Sequence, residues 1–248
     1  MADYNERAQA AVQARAGVRE GIDEGLRSFM LGIYNNMALG LAFTGLAAMA
    51  TSYAAVGPTG LTPLGAAIYT SPLKWVIMFA PLAFVFGFSA GINKMAPSTA
   101  RMVFFAFAAV MGISISWIFL VFTSGSIAQT FFVTAASFGA LSLWGYTTKR
   151  DISGWGSFLF MGLIGLILAS VVNIFLGSSA MHFAISVIGV LVFAGLTAYD
   201  TQKLKNTYDF VAHDATATGR ASIYGALTLY LDFINLFMFL LQFMGNRD

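Results

Sequence analysis

Leu227-Thr-Leu-Tyr-Leu-Asp-Phe-Ile-Asn235 places a carboxylate, Asp232, inside an apolar run that continues to Met244. No other acid of the chain lies so deep in a hydrophobic segment. An Asp at the centre of a membrane helix costs about 2.5–3.5 kcal/mol on insertion scales, so an intramembrane acid marks a functional site and calls for a partner. The nearest candidate is Asp200, at the end of the preceding apolar segment.

The surrounding composition supports a lipid environment. Of 248 residues, 58% are hydrophobic and 10% charged, against about 25% charged in a soluble domain. The mean hydropathy is +0.76. The chain therefore reads as an all-α integral membrane protein, with no polar block long enough to fold as a separate domain. The formal net charge of +2 falls at segment ends and forms no stripe that tracks phosphates, so a nucleic-acid partner is excluded. There is no Cys, which removes disulfides and thiolate metal sites. His182 and His213 lie far apart in sequence, and neither a metal nor a cofactor is expected.

Working outward, residues 1–27 are expected to form a cytoplasmic amino-terminal tail and residues 28–248 a seven-helix membrane domain. The tail lacks the short apolar core and cleavage site of a signal peptide. Val18, Ile22 and Leu26 recur at helical spacing, so the tail reads as partly amphipathic or as a solvated segment. Seven apolar segments follow, near Phe29–Tyr53, Leu73–Ile92, Met102–Thr123, Ile127–Tyr146, Gly156–Leu176, Met181–Gln202 and Ser222–Met244. Each approaches the roughly 20 residues that a spanning helix needs. Between the first two, the uncharged stretch Ala54–Pro72 with Pro58 and Pro63 reads as an irregular loop.

Cations favour short cytoplasmic loops. Arg7, Arg15, Arg19 and Arg27 precede the first span, Lys94 and Arg101 separate the second from the third, Lys149 and Arg150 the fourth from the fifth, and Lys203, Lys205 and Arg220 the sixth from the seventh. The opposite connections carry only Lys74. This predicts a cytoplasmic amino terminus and, after seven crossings, a periplasmic tail ending Arg247-Asp248. Gly40 with Gly45, Gly87 with Gly91, and Gly162 with Gly165, Ala169 and Ser170 are spaced for close helix contact. Pro81 predicts a local kink in the second span.

Few polar residues can carry chemistry. Asp200 reads either as an interfacial acid paired with Lys203 at i+3 or as the partner of Asp232. If the last two helices are antiparallel neighbours, the two carboxyls face one another, and two poorly hydrated carboxylates in contact share a proton rather than both ionise. Such a pair senses pH without histidine. Thr197 lies one turn before Asp200 and Asn235 one turn after Asp232, so both can support that polar face. Tyr199 and Tyr230 serve as hydroxyl donors or as packing groups. Asn35, Asn36 and Asn173 suit bonds between helices, and His213 reads as solvated.

These residues resemble the Bax inhibitor-1 family, also called the transmembrane Bax inhibitor motif family. The resemblance rests on Ser186-Val-Ile-Gly189, Ala198-Tyr-Asp-Thr-Gln-Lys203 and Leu229-Tyr-Leu-Asp-Phe-Ile-Asn-Leu-Phe237. Gly25-Leu-Arg-Ser-Phe-Met30 and Tyr34-Asn-Asn-Met-Ala-Leu-Gly40 are similar to the start of bacterial members. The resemblance implies a seven-helix fold with the last helix near the centre, a bacterial inner-membrane location, and a proton-sensitive calcium leak controlled by Asp200 and Asp232. Family members also engage that pair through an arginine near the inner end of the second helix. Here the matching region reads Gly91-Ile-Asn-Lys-Met95, which leaves Lys94 or Arg101 as the candidate cation.

The expected function is a pH-sensitive channel for calcium or other cations, gated by the two acids. The alternative is a non-transporting interaction protein that modulates a membrane protease or a stress-response partner. Enzymatic activity is not expected. Intramembrane aspartyl proteases also carry paired acids, but the second acid here sits in Tyr230-Leu-Asp-Phe233, without a Gly-x-Gly-Asp element or a following Pro-Ala-Leu.

Overall fold

The computed structural model describes residues 24–247. Its helices are α1 (Ala2–Ala55, described from Glu24), α2 (Pro63–Tyr69), α3 (Leu73–Gly91), α4 (Pro97–Ile115), α5 (Ile118–Val121), α6 (Ser124–Thr147), α7 (Trp155–Leu176), α8 (Ser179–Val211) and α9 (Ala215–Met244). Among the described residues, seven helical spans are long and apolar enough to cross a membrane, with α4 and α5 together forming the third. The amphipathic spacing of Val18 and Ile22 lies outside the described residues. From Glu24, the first described residue, α1 runs unbroken through Arg27 and Ser28 into the first span.

The last helix occupies the centre. In its most apolar window α9 has 50% of residues buried within the protein, whereas α7 has 11%. α9 packs on α8, α1, α6 and α4, while α7 leans on α8 and turns its remaining surface outward. Leu229, Tyr230, Phe233, Leu236 and Phe237 of α9 fill the core together with Ile33 of α1 and Phe104 and Phe107 of α4.

Close helix contact is made at glycines other than most of those expected. A Cβ at Gly112 would collide with the Thr44 carbonyl oxygen where α4 crosses α1, and one at Gly145 would collide with the Ala198 carbonyl oxygen where α6 crosses α8. Of the expected positions, Gly40 seats the Phe104 ring and Gly162 meets Val192, but Gly45, Gly87 and Gly165 face open space. Spacing alone does not say which side of a helix meets a neighbour and which meets lipid.

Several boundaries also differ. The stretch expected to be irregular contains a two-stranded hairpin, β1 (Val56–Gly57) and β2 (Gly60–Leu61), and then α2. Thr62 caps α2 by accepting from Gly65 N at 3.1 Å, with Pro63 in the first turn, where its missing N–H costs nothing. α3 continues through Pro81, which is buried. α8 extends to Val211 rather than ending near Gln202, because the polar run after Asp200 remains helical as it leaves the apolar zone. Only Ala212–Asp214 joins it to α9, and the Asp214 carboxylate caps α9 by accepting from Thr216 N at 2.7 Å. So short a connection makes α8 and α9 antiparallel neighbours, the relation on which pairing of the two acids depends.

The segment ends that carry cations gather at one end of the bundle. Arg220 Nε donates to the Met95 carbonyl oxygen at 2.7 Å, and Lys205 Nζ to that of Tyr146 at 2.9 Å. Gln202 accepts from Ile152 N at 2.9 Å and donates to the Arg150 carbonyl oxygen at 2.8 Å, clamping the α6–α7 loop onto α8. At the other end, Asn246 O accepts from Thr123 N at 3.1 Å and Asn246 N donates to Ser126 Oγ at 2.9 Å, tying the carboxyl-terminal segment to the start of α6.

Candidate functional site

Asp232 lies midway along α9 and is 5% exposed. Asp200 sits in α8, half-buried, and the two side chains lie within hydrogen-bonding reach of each other. The two predicted acids are thus brought together across the α8–α9 interface. Asp232 Oδ2 is buried without a partner from any other polar group among the described residues. A buried carboxyl oxygen in that position needs a proton on itself or on its neighbour to complete a hydrogen bond.

The surrounding charges are sparse. Lys203, one turn further along α8, is the cation whose field reaches Asp200, while the charge acting on Asp232 is that of Asp200. Lys203 is exposed, with Nζ lying 5.9 Å from the centre of the Tyr199 ring. Lys94 follows α3 in a short 3-10 turn, and Arg101 lies on α4; both are exposed and neither is brought to the carboxyls. The adjacent Met95 carbonyl is held instead by Arg220, far from Asp232 on the same helix.

Thr197 and Asn235 do not touch the pair through their hydrogen bonds. Thr197 Oγ1 donates to the Phe193 carbonyl oxygen at 2.8 Å, and Asn235 Nδ2 to that of Leu231 at 2.8 Å. Both side chains close onto their own helix, as polar side chains in apolar surroundings can when no partner faces them. Asn36 does the same to Gly32 O, Asn173 accepts from Ser178 N at the end of α7, and Asn35 is exposed. His213 is exposed, and His182 Nε2 is buried without a partner among the described residues. No three His, Asp or Glu side chains converge on a metal-sized space among the described residues.

Two hydroxyl networks beside the acids were not legible from spacing. Thr201 Oγ1 donates to the Thr197 carbonyl oxygen at 2.7 Å, which commits its one proton. Ser142 therefore donates to Thr201 Oγ1 at 2.8 Å, and Tyr34 donates to Ser142 Oγ at 2.6 Å. This chain joins α1, α6 and α8 immediately next to Asp200. On the other side of α9, Thr44 Oγ1 is directed at the Gly40 and Ala108 carbonyl oxygens, so Tyr230 is the donor in its 2.6 Å contact with Thr44. Tyr230 is fully buried and meets Phe104 and Phe107 edge-on, which assigns it both packing and hydroxyl roles. Thr201 is part of the motif Ala198-Tyr-Asp-Thr-Gln-Lys203, but Ser142 lies 59 positions from Thr201 and Tyr34 a further 108 positions from Ser142, so neither carries a local signal.

The fold and its buried acids define a seven-helix integral membrane protein whose central helix carries a carboxyl paired with that of a neighbour. The family profile described as Inhibitor of apoptosis-promoting Bax1 matches residues 26–248. The chain belongs to the Bax inhibitor-1 family. Among its relatives, the inner membrane protein YbhL of Escherichia coli strain K12 is 46% identical, with 97% of each chain covered. An uncharacterized protein of Caulobacter vibrioides is 47% identical over the full length of both chains. An uncharacterized protein of Rickettsia prowazekii is also 47% identical, over 91% of this chain and 92% of its own.

Proposed function

We propose that the protein is a pH-sensitive leak pathway for cations, calcium among them, in which Asp200 and Asp232 form the gate. The observation that carries this reading is the meeting of two desolvated carboxyls between α8 and the central helix. With one proton shared, a charge-assisted carboxyl–carboxylate bond holds the helices together. When that proton leaves, two like charges in a poorly hydrated site repel, and the interface opens. Flux therefore rises with pH across the titration of the pair. Two carboxylates supply fewer oxygens than the roughly six to eight that a resident calcium takes, which suits a transit point from which the ion must leave.

The inner membrane named for the Escherichia coli relative is the location we assign to this chain. In that membrane the cation-bearing end of the bundle faces the cytoplasm by the positive-inside rule, with the carboxyl terminus in the periplasm. The test is calcium entry into proteoliposomes measured as a function of pH, from about 5 to 8. Asp200→Asn combined with Asp232→Asn is expected to flatten the pH profile. A double variant with the wild-type profile would refute the gate, and purified wild-type protein that passes no cation would refute the leak.

A further inference from the structure

α1 packs on α4 and α9, and α6 on α8 and α9, so α1 and α6 flank a seam instead of sealing it. Toward the cation-bearing end this seam widens to a cavity of about 310 Å³ with Met30, Leu31, Phe138 and Leu143 among its walls. Arg27 and Tyr146 lie at its upper edge, and Tyr34 and Ser142 line it lower down, joined by their hydrogen bond. Among the described residues no acid lines it, and Lys205 adds a second cation where its Nζ meets the Tyr146 carbonyl. Arg27 is exposed. Tyr34 lies seven positions beyond Arg27, about 10 Å of helix, or roughly two-thirds of one leaflet's hydrocarbon depth.

An apolar slot running inward from a basic rim is complementary to an amphiphile with an anionic head. A free anion gains nothing from its walls. We propose that this part of the seam binds an anionic phospholipid, with the phosphate at Arg27 and one acyl chain lying between α1 and α6 as far as Tyr34. Farther along the seam a second cavity of about 380 Å³, bounded by Thr44, Met49 and Phe132 among others, has no charged group and so no means of selecting a headgroup. The bound lipid would cover the outer member of the hydroxyl chain that leads to Thr201, but the site stands independently of the leak.

Gly139 supplies the decisive variant, since it lines the cavity and a Cβ there meets nothing within 4 Å. Gly139→Leu adds an apolar side chain at the slot wall from a position where its first atom meets no protein atom. Gly165→Leu on α7 is the control, because it also projects into open space but away from the seam. Full-length protein would be delipidated and placed in phosphatidylcholine nanodiscs with and without phosphatidylglycerol. Lipid retained after transfer to detergent would be counted by native mass spectrometry. Wild type and Gly165→Leu are expected to retain phosphatidylglycerol in preference to phosphatidylcholine. Arg27→Gln should weaken retention about fivefold, the effect of one basic residue at an anionic headgroup, and Gly139→Leu should abolish it. Equal retention of the two lipids by wild type, or undiminished phosphatidylglycerol in Gly139→Leu, would overturn the site. Competition by inorganic phosphate as effective as that by the lipid would also overturn it, by showing that the chain is not recognised.

Discussion

Tyr230 and Asp232 stand two residues apart on α9, about 200° around the helix, and meet opposite sides of the bundle. On the Tyr230 side the buried polar groups are satisfied: Tyr230 donates to Thr44, and Thr44 turns its own proton to backbone carbonyls. On the Asp232 side a carboxyl oxygen is buried without a neutral partner and faces another acid. One face of the central helix is fixed by complementary groups. The other, on the gating proposed above, holds together only while a proton is shared. A helix anchored along one side and conditional along the other can move as a gate without losing its place in the bundle.

The anchored face should fail first under truncation. Tyr230→Ala is expected to cost about 3–5 kcal/mol, the range for removing a large buried aromatic, as measured by reversible unfolding in detergent. Next comes Thr44→Val, which leaves the buried Tyr230 hydroxyl without an acceptor at a cost of about 1–3 kcal/mol. Tyr230→Phe should be milder, about 0.5–1.5 kcal/mol, because Thr44 keeps its carbonyl partners. Reversal of the order of Thr44→Val and Tyr230→Phe would mean that the face is held by packing alone. The conditional face should behave oppositely. Under the proposed gating, Asp232→Asn, which cannot ionise, is expected to gain in stability relative to wild type as pH rises, with the difference shrinking as pH falls.

How much of this contrast is readable from sequence follows from the range of the forces involved. Asp200 stands at the end of an apolar run and is picked out chiefly by the family motif Ala198-Tyr-Asp-Thr-Gln-Lys203, whereas Asp232 announces itself because a charge among apolar neighbours is a local anomaly. The seven spans are legible for the same reason. Hydropathy marks where the chain leaves lipid, however, and not where its helix ends; hence α8 outruns the expected boundary at Gln202 and reaches Val211. Thr197 and Asn235 have the correct spacing to support the acids, yet close on their own backbones. Conversely, Gly112, Gly145 and the Tyr34–Ser142–Thr201 chain depend on which faces of distant segments meet, and no nearby residue records that choice.

The smallest expected effect separates the buried acids from an ordinary one. Asp151, in the loop between α6 and α7, is fully exposed, and its carboxylate accepts from Ser153 N at 2.9 Å. The Ser153 backbone N–H, aided by its side chain, holds the Asp151 carboxyl below the usual carboxylate range. A depressed value means that its stabilising contribution is complete above the ordinary pKa near 3.8 and is lost only as pH falls through the still lower folded value. Across about pH 5–8 it is therefore constant, so any pH response in that window arises elsewhere. Asp151→Asn keeps an acceptor oxygen for Ser153 N and should leave both the thermal midpoint and the flux profile unchanged over that range. A profile displaced by this variant would move part of the pH response from the α8–α9 interface to the surface loop, and with it the distinction between the two faces of α9.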